Sequence, residues 1–269
     1  MAESTDGQLL ELVKKGDAKA MDQLLARHEN KIYRFGLRMC GNEDDARDVL
    51  QETLLAAFKN LGTFRGDSQI STWLYQVARS FCIKQRRRRE GEPARLESME
   101  GSEVKSMAAD STQLDSKAHA REVGHVIQAA MNTLQEDQRE ALVLRDVEGL
   151  SAEEAAEVVG IEVGALKSRL HRARIQLKQS LSAVLDDQST DLGCPELQQE
   201  LSAYAASEID QAACARIEAH MQKCVHCTAA CDSLKRTVSM CRSIPGGEVP
   251  APVRAAVRHA LRMSAVSTI

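Results

Sequence analysis

The sequence predicts an almost entirely α-helical protein divided into two or three compact units. Three observations carry this expectation. Aromatic residues make up only 3% of the 269 residues, whereas Ala, Leu, Glu, Arg and Gln, which favour helix over sheet, are abundant. Proline occurs five times and β-branched runs are few. Apolar side chains recur at i, i+3 and i+4 rather than in alternation. A chain of this length is too long for one small domain.

The first helical block spans 6–89. In "NEDDARDVLQETLLAAFKNLG" Asn42 is the predicted N-cap, acids fill the first turn, and the helix stops at Gly62. A helical stripe runs through positions 46, 49, 50, 53, 54, 57, 58 and 61. The next helix is expected from Ser71. Ile70, Trp73, Leu74, Val77, Ala78 and Phe81 form its apolar face, and it ends in "KQRRRR". Between the two lies the glycine-bearing loop "LGTFRGDSQ". Residues 90–118 read as an acidic linker without an apolar face. A second block, 119–185, holds three or four short helices. A third, 191–242, carries six of the eight cysteines. The remainder, 243–269, has a short amphipathic, basic helix expected over 253–263.

The formal net charge of −4 argues against nucleic-acid binding only on average, because charge is segregated along the chain. "KQRRRR" and "LKSRLHRARIQLK" are strongly basic, and residues 90–116 between them carry seven acids against two bases. Local fields, not the sum, select partners. There is no apolar run of about 18 residues and no charged-then-apolar leader, so the expected location is the cytoplasm, away from the membrane. In a reducing compartment structural disulfides are disfavoured, which leaves metal binding, redox sensing or burial for the cysteines. Cys40 and Cys82, inside helical blocks, are expected to be buried. No P-loop, dinucleotide fingerprint or nucleophile elbow is present, so neither an enzyme nor an organic cofactor is expected.

In "LSAEEAAEVVGIEVGALKSRLHRARIQLKQSL", Ser151 and Glu154 form a predicted capping box for a short helix ending at Val159. Gly160 supplies a turn, and a longer helix follows from Val163. Leu166, Leu170, Ala173 and Leu177 make its buried stripe. Lys167, His171, Arg174 and Lys178 lie beside that stripe, with Arg169 and Arg172 on its other flank. This is the helix-turn-helix pattern, whose second helix enters the major groove; a helical hairpin with a solvated basic face is the plainer reading. Glu162, Val163, Ala165, Lys167, Ser168 and Arg169 are expected nearest the base edges. Arg172, Arg174 and Lys178 are expected at phosphates, which position without specifying.

"DDARDVLQETLLAAFKNLGTFRGDSQISTWLYQVARS" resembles region 2 of bacterial extracytoplasmic-function (ECF) RNA polymerase sigma factors. "LQEDQREALVLRDVEGLSAEEAAEVVGIEVGALKSRLHRARIQLKQSL" resembles their region 4. The resemblance covers about two-thirds of the chain. The linker is too short for the extra domain of housekeeping sigma factors. The resemblance implies that Asp45, Asp48, Gln51 and Glu52 dock on the β′ clamp of core RNA polymerase, with region 4 at the β flap. It implies that Phe64, Arg65, Asp67, Ser68, Thr72 and Trp73 open promoter DNA at the −10 element and hold an unstacked base, a task suited to aromatic and polar groups beside a cationic helix. Trp73 also sits on the apolar stripe, so a core role stays open. Lys84, Arg86 and Arg87 would follow the phosphate backbone, and region 4 would read the −35 element. Ala165 departs from the polar reader common in the family and leaves the −35 sequence open.

About eighty residues follow region 4. "CPELQQELSAY" and "HMQKCVHC" resemble the zinc-binding anti-sigma module, which joins an upstream ligand to a His-x3-Cys-x2-Cys motif. The resemblance implies Cys194, His220, Cys224 and Cys227 as ligands of a tetrahedral ion. Cys214, Cys231 and Cys241 are surplus to that motif and are further candidate ligands. Cys231, one turn after Cys227, is expected to reach the same ion or a neighbouring one. Such a thiolate-rich set suits Zn, Cd or Cu(I) and resembles sigma factors of CorE type, whose cysteine-rich C-terminal domain makes activity metal-dependent. Three roles follow for the tail: metal-gated control in cis as an internal anti-sigma, a permanent structural zinc, or a thiol switch. The leading function is a promoter-recognition subunit of RNA polymerase. The alternative is a metal- or redox-responsive helix-turn-helix repressor that never touches polymerase.

Overall fold

The computed structural model describes residues 4–90, 123–182, 192–244 and 248–266, so nearly all of the linker expected at 90–118 lies outside the described residues. Among those described, every regular element is helical. The amino-terminal bundle consists of α1 (Asp6–Lys14), α2 (Ala18–Cys40), α3 (Glu43–Asn60) and α4 (Ile70–Glu90), with a 3-10 turn at Leu61–Thr63. Asn42 caps α3 as expected: its side-chain oxygen accepts from the Asp45 N–H at 2.9 Å. Leu24, Phe35, Leu50, Leu54 and Leu74 fill the centre of this bundle.

The second bundle comprises α5 (123–132), α6 (Glu136–Leu142), α7 (Ala152–Val159) and α8 (Val163–Ser180). A π-helical turn at Val143–Val147 extends α6. The Ser151 hydroxyl accepts from the Glu154 N–H at 3.0 Å, and the Glu154 carboxylate accepts from the Ser151 N–H at 2.8 Å. The reciprocal capping box predicted from sequence is therefore present. Gly160 closes α7 in the left-handed region at φ 76°, a conformation glycine adopts without penalty. Ser151→Ala should cost about 1 kcal/mol, read as a lower urea midpoint with an unchanged m value.

The cysteine-rich module contains a 3-10 turn at Pro195–Leu197, α9 (Gln198–Ala205), α10 (Gln211–Met221) and α11 (Val225–Ser243), and α12 (Ala251–Val266) follows it. One continuous apolar core runs from α1 through α8 and takes in Cys241, Ile244, Val249, Val257 and Leu261. α11 and α9 pack on α8, while α12 reaches back to α3. A second, much smaller core is built on Leu201, Ile217, Cys227 and Cys231. Chains with so thin a core generally need a disulfide, metal or partner to stay folded.

Polar contacts link these units. Arg34 donates twice to Glu148, at 2.6 and 2.5 Å, and the Tyr75 hydroxyl donates to the same carboxylate at 2.8 Å. Arg79 pairs with Glu140 and Arg86 with Glu136. At the other end Arg254 pairs with Glu29 at 2.5 Å, and the Val249 N–H donates to the Asn30 side chain at 3.0 Å. The helix-turn-helix bundle thus lies against the first bundle, and the C-terminal chain touches both.

Candidate functional site

Cys194, His220, Cys224 and Cys227 bring one donor atom each to within 4.8 Å of one another. Cys194 Sγ lies 3.5 Å from His220 Nε2 and 4.0 Å from Cys224 Sγ. A tetrahedral zinc with Zn–S bonds near 2.3 Å separates its sulfur ligands by about 3.7 Å, so the four donors fit such an ion. Each comes from a different local feature. Cys194 precedes the 3-10 turn, His220 lies in the last turn of α10, Cys224 N-caps α11 and Cys227 sits in its first turn. The Cys227 backbone N–H, a hydrogen bond to the Cys227 side chain and the neighbouring His220 pull the Cys224 thiol down to about 7. A hydrogen bond with the Cys227 side chain and desolvation push Cys194 up to about 12. One sulfur already favours the thiolate form that binds metal.

Gly193 is part of this site, although no motif in the sequence singles it out. It lies in the left-handed region at φ 75°, and an added Cβ would sit 2.9 Å from Leu201 Cδ1 and 3.1 Å from Cys227 Sγ. The adjacent Cys194 N–H donates to Cys227 Sγ at 3.3 Å, an outer contact that orients a ligand. The available signal is the glycine preceding Cys194 in "LGCPEL". Gly193→Ala should cost about 1–2 kcal/mol in backbone strain alone. A competition titration with a zinc chelator should show affinity weakened by about tenfold or more.

The three surplus cysteines, also expected as candidate ligands, do not join this four-donor cluster. Cys214 donates to Glu218 on α10 at 3.4 Å. Cys231 lies one turn beyond Cys227 but is buried in the small core, and burial raises its pKa. Cys241 lies in the main core, where burial and Asp146 push its thiol up. A shared helix face brings such residues near one another without aiming them at a common point.

On the first bundle, Asp48 and Glu52 are exposed and Gln51 is half-buried. They line a groove of about 460 Å³ with Lys84 and Arg88 opposite. Asp45 does not join them. It is 5% exposed and its carboxylate accepts from Asn42 at 2.9 Å and from Gln85 at 3.2 Å, so it supports the α3 cap. In the loop before α4, Arg65 and Asp67 are exposed and Phe64 and Ser68 half-buried. Trp73 is half-buried and packs on Phe64, with ring centroids 5.4 Å apart. Thr72 is 1% exposed and belongs to the interior. Lys84 and Arg87 face solvent, but Arg86 is engaged by Glu136 and by the Met39 carbonyl at 3.4 Å.

On α8, Glu162, Ala165, Lys167 and Arg172 are exposed, while Val163 and Ser168 are half-buried. Arg169 pairs with Asp137 at 3.3 Å. Arg174 and Lys178 depart most from expectation, being 2% and 3% exposed. Arg174 donates to both Asp146 oxygens, at 2.8 and 2.6 Å, and to Glu208 at 3.2 and 2.7 Å. It also donates to the Ser202 carbonyl at 3.3 Å. Arg145 meets the same Glu208 at 2.9 Å. Burial works against the Arg174 charge, but the two carboxylates outweigh it and hold its pKa above the ordinary arginine value. Neither Arg174 nor Lys178 is open to a phosphate in this conformation, because α9 and α11 cover that side of α8. Asp146, carried by the π-helical turn, and Glu208, between α9 and α10, had no local sequence signal.

Three comparisons bear on this arrangement. Residues 24–92 match the family Sigma-70 region 2, residues 125–177 match Sigma-70, region 4, and residues 194–228 match a zinc-finger family. The chain is similar to an ECF RNA polymerase sigma-E factor of Haemophilus influenzae, with 32% identity over 190 residues, covering 69% of this chain and 100% of that one. It is similar to the RNA polymerase sigma-H factor of Pseudomonas aeruginosa, at 33% identity over 189 residues, 69% of this chain and 98% of the other. Among solved structures it resembles the sigma factor RpoE from Bartonella quintana, crystallised with the anti-sigma factor NepR. That match has a TM-score of 0.49 and 27% identity, covering 61% of this chain and 98% of that one. The full-length match to curated relatives, together with the ordered region 2 and region 4 segments, places this chain in the ECF RNA polymerase sigma-factor family.

Proposed function

We propose that this sigma factor directs core RNA polymerase to promoters bearing its own −10 and −35 elements, and that its C-terminal module restrains it in cis. Sigma factors initiate transcription and are not enzymes. The proposed place of action is the cytoplasm; no described helix is long and apolar enough to cross a membrane. Asp48, Gln51 and Glu52 are assigned to the β′ clamp, and region 4 to the β flap. Phe64, Arg65, Asp67, Ser68 and Trp73 are assigned to the −10 element, with Lys84 and Arg87 on its phosphates. Glu162, Val163, Ala165, Lys167 and Ser168 are assigned to the −35 element, with Arg169 and Arg172 beside them.

The observation that carries the restraint is the burial of Arg174. A cation on the DNA-reading helix is held between Asp146 of region 4 and Glu208 of the C-terminal module. The contacts of Glu148, Glu140 and Glu136 with region 2 arginines fold the two promoter-reading units against each other. The chain after the module also reaches region 2 through Arg254 and Val249. This is a closed form, and promoter binding needs the two units apart.

Cys194, His220, Cys224 and Cys227 would hold a thiophilic ion such as zinc, with Cd(II) or Cu(I) as competitors for the same donor set. Bound there, the ion would act as a structural cross-link with all four positions filled by protein. The module it steadies presents Glu208 and Ser202 to Arg174, so metal loading favours the closed form and metal loss favours release. Run-off transcription with core polymerase tests the sigma assignment. Promoter-specific transcripts that depend on this chain are expected, and their absence at every metal loading would leave the free-standing repressor.

A further inference from the structure

Away from the metal cluster, the structure brings one more pair of thiols together. Cys40 is the last residue of α2 and Cys82 lies in the middle of α4, yet their sulfur atoms are 3.7 Å apart. The two thiols are in direct hydrogen-bond contact. Cys82 is 3% exposed, while Cys40 is half-buried and so the more accessible of the two. Both sulfurs interact electrostatically with Arg139, and Cys82 also feels Arg86. Such cations favour the thiolate that reacts with oxidants, while at Cys82 the Glu140 carboxylate works against them. The hydrogen bond it shares with Cys40 and its own burial raise the Cys82 pKa, and Cys40, the more accessible sulfur, is the one a peroxide reaches first. No role in promoter or polymerase binding uses either residue.

We propose that Cys40 and Cys82 form a modification site, a dithiol that a hydroperoxide converts to an intramolecular disulfide independently of the metal cluster. The Cys40 sulfur attacks a peroxide oxygen and the O–O bond breaks, giving a sulfenic acid and one water from hydrogen peroxide. The Cys82 sulfur then attacks the Cys40 sulfur, the S–O bond breaks, and hydroxide leaves as water with the Cys82 proton. Two thiols have lost two electrons and two protons, and one peroxide has become two waters. Reaching the bonded S–S distance of about 2.05 Å requires the sulfurs to close by roughly 1.6 Å. Cys40 ends its helix at Gly41, which lies in the left-handed region, so only a helix end has to adjust. The new bond would tie α2 to α4 beside Arg86 and Arg79, the residues that engage region 4.

The test is a non-reducing peptide map of the full, metal-loaded chain after hydrogen peroxide treatment and alkylation. Trypsin should release the peptides 39–47 and 80–84 joined to each other, and the joined species should vanish on reduction. Cys82→Ser should leave a Cys40 sulfenic acid that dimedone traps, and Cys40→Ser should leave Cys82 unmodified at the same dose. Recovery of both wild-type peptides alkylated, at a dose that consumes half-buried Cys214, would overturn the proposal. So would Cys40 appearing only as sulfonic acid, or linked to a cysteine of the metal cluster.

Discussion

Stripping the metal from the Cys194, His220, Cys224 and Cys227 cluster is expected to unfold α9, α10 and the first turns of α11, leaving α1 to α8 folded. Among the described residues the small core of this module has four fully buried members, of which Cys227 is also one of the four candidate ligands. Structural zinc in comparable small modules contributes about 10–16 kcal/mol of apparent binding free energy, far more than such a core supplies at roughly 1.5–3 kcal/mol per buried side chain. The second half of α11 behaves differently, because Thr237, Val238 and Cys241 are buried away from the cluster and Cys241 belongs to the main core. Amide hydrogen exchange should therefore show a sharp boundary within α11. Chelation should raise exchange by several orders of magnitude across 194–230 and leave α2, α3 and α8 protected. Cys227→Ser should reproduce the pattern without chelator. Equal protection of α9 and α10 with and without metal would contradict this account.

Glu208→Gln is expected to loosen the closed form without unfolding the sigma regions. The substitution keeps the size of the side chain but removes the charge that receives two hydrogen bonds from Arg174 and one ion pair from Arg145. Hydrogen bonds to charged groups contribute about 1.5–3 kcal/mol each when buried. A loss of that order shifts an open-to-closed ratio by about 10- to 150-fold. Promoter-specific run-off transcription should rise by about tenfold or more with metal still bound, and the urea midpoint of region 2 should not move. Arg174→Ala gives a different result because it leaves Asp146 and Glu208 buried without their cation. That arrangement costs about 3–5 kcal/mol and should lower the stability of region 4 itself. Unchanged transcription by Glu208→Gln would mean that this contact does not restrain the sigma factor.

Much of the local architecture was legible because it depends on short-range chemistry. Asn42 caps α3, Ser151 and Glu154 form their box, and Gly160 takes the turn between α7 and α8; each needs only residues a few positions apart. Four of the seven candidate metal ligands converge for a similar reason, since His220, Cys224 and Cys227 are neighbours and only Cys194 must return from a distance. The misreadings arise where a distant element decides the environment. Periodicity places Arg174 and Lys178 on a basic face of α8, but that face is covered by α9 and α11, and no pattern within α8 records it. Asp45 reads as an outward acid of α3, whereas Asn42 and Gln85 draw it inward. Cys231 and Cys241 share a helix with Cys227, and their sulfurs are buried in two different cores. Helical spacing sets which side of a helix a residue occupies, and packing sets what it meets there.

The most direct test of cis control is single-round run-off transcription by the full chain and core polymerase across a zinc-buffered series. Cys224→Ser combined with Cys227→Ser serves as the metal-free reference. The transcript is predicted to be low at saturating zinc and to rise at least tenfold as free zinc falls below the dissociation constant of the cluster. It should then level off at the zinc-independent output of the double variant. A transcript that stays constant, or falls, as the cluster empties would contradict the account.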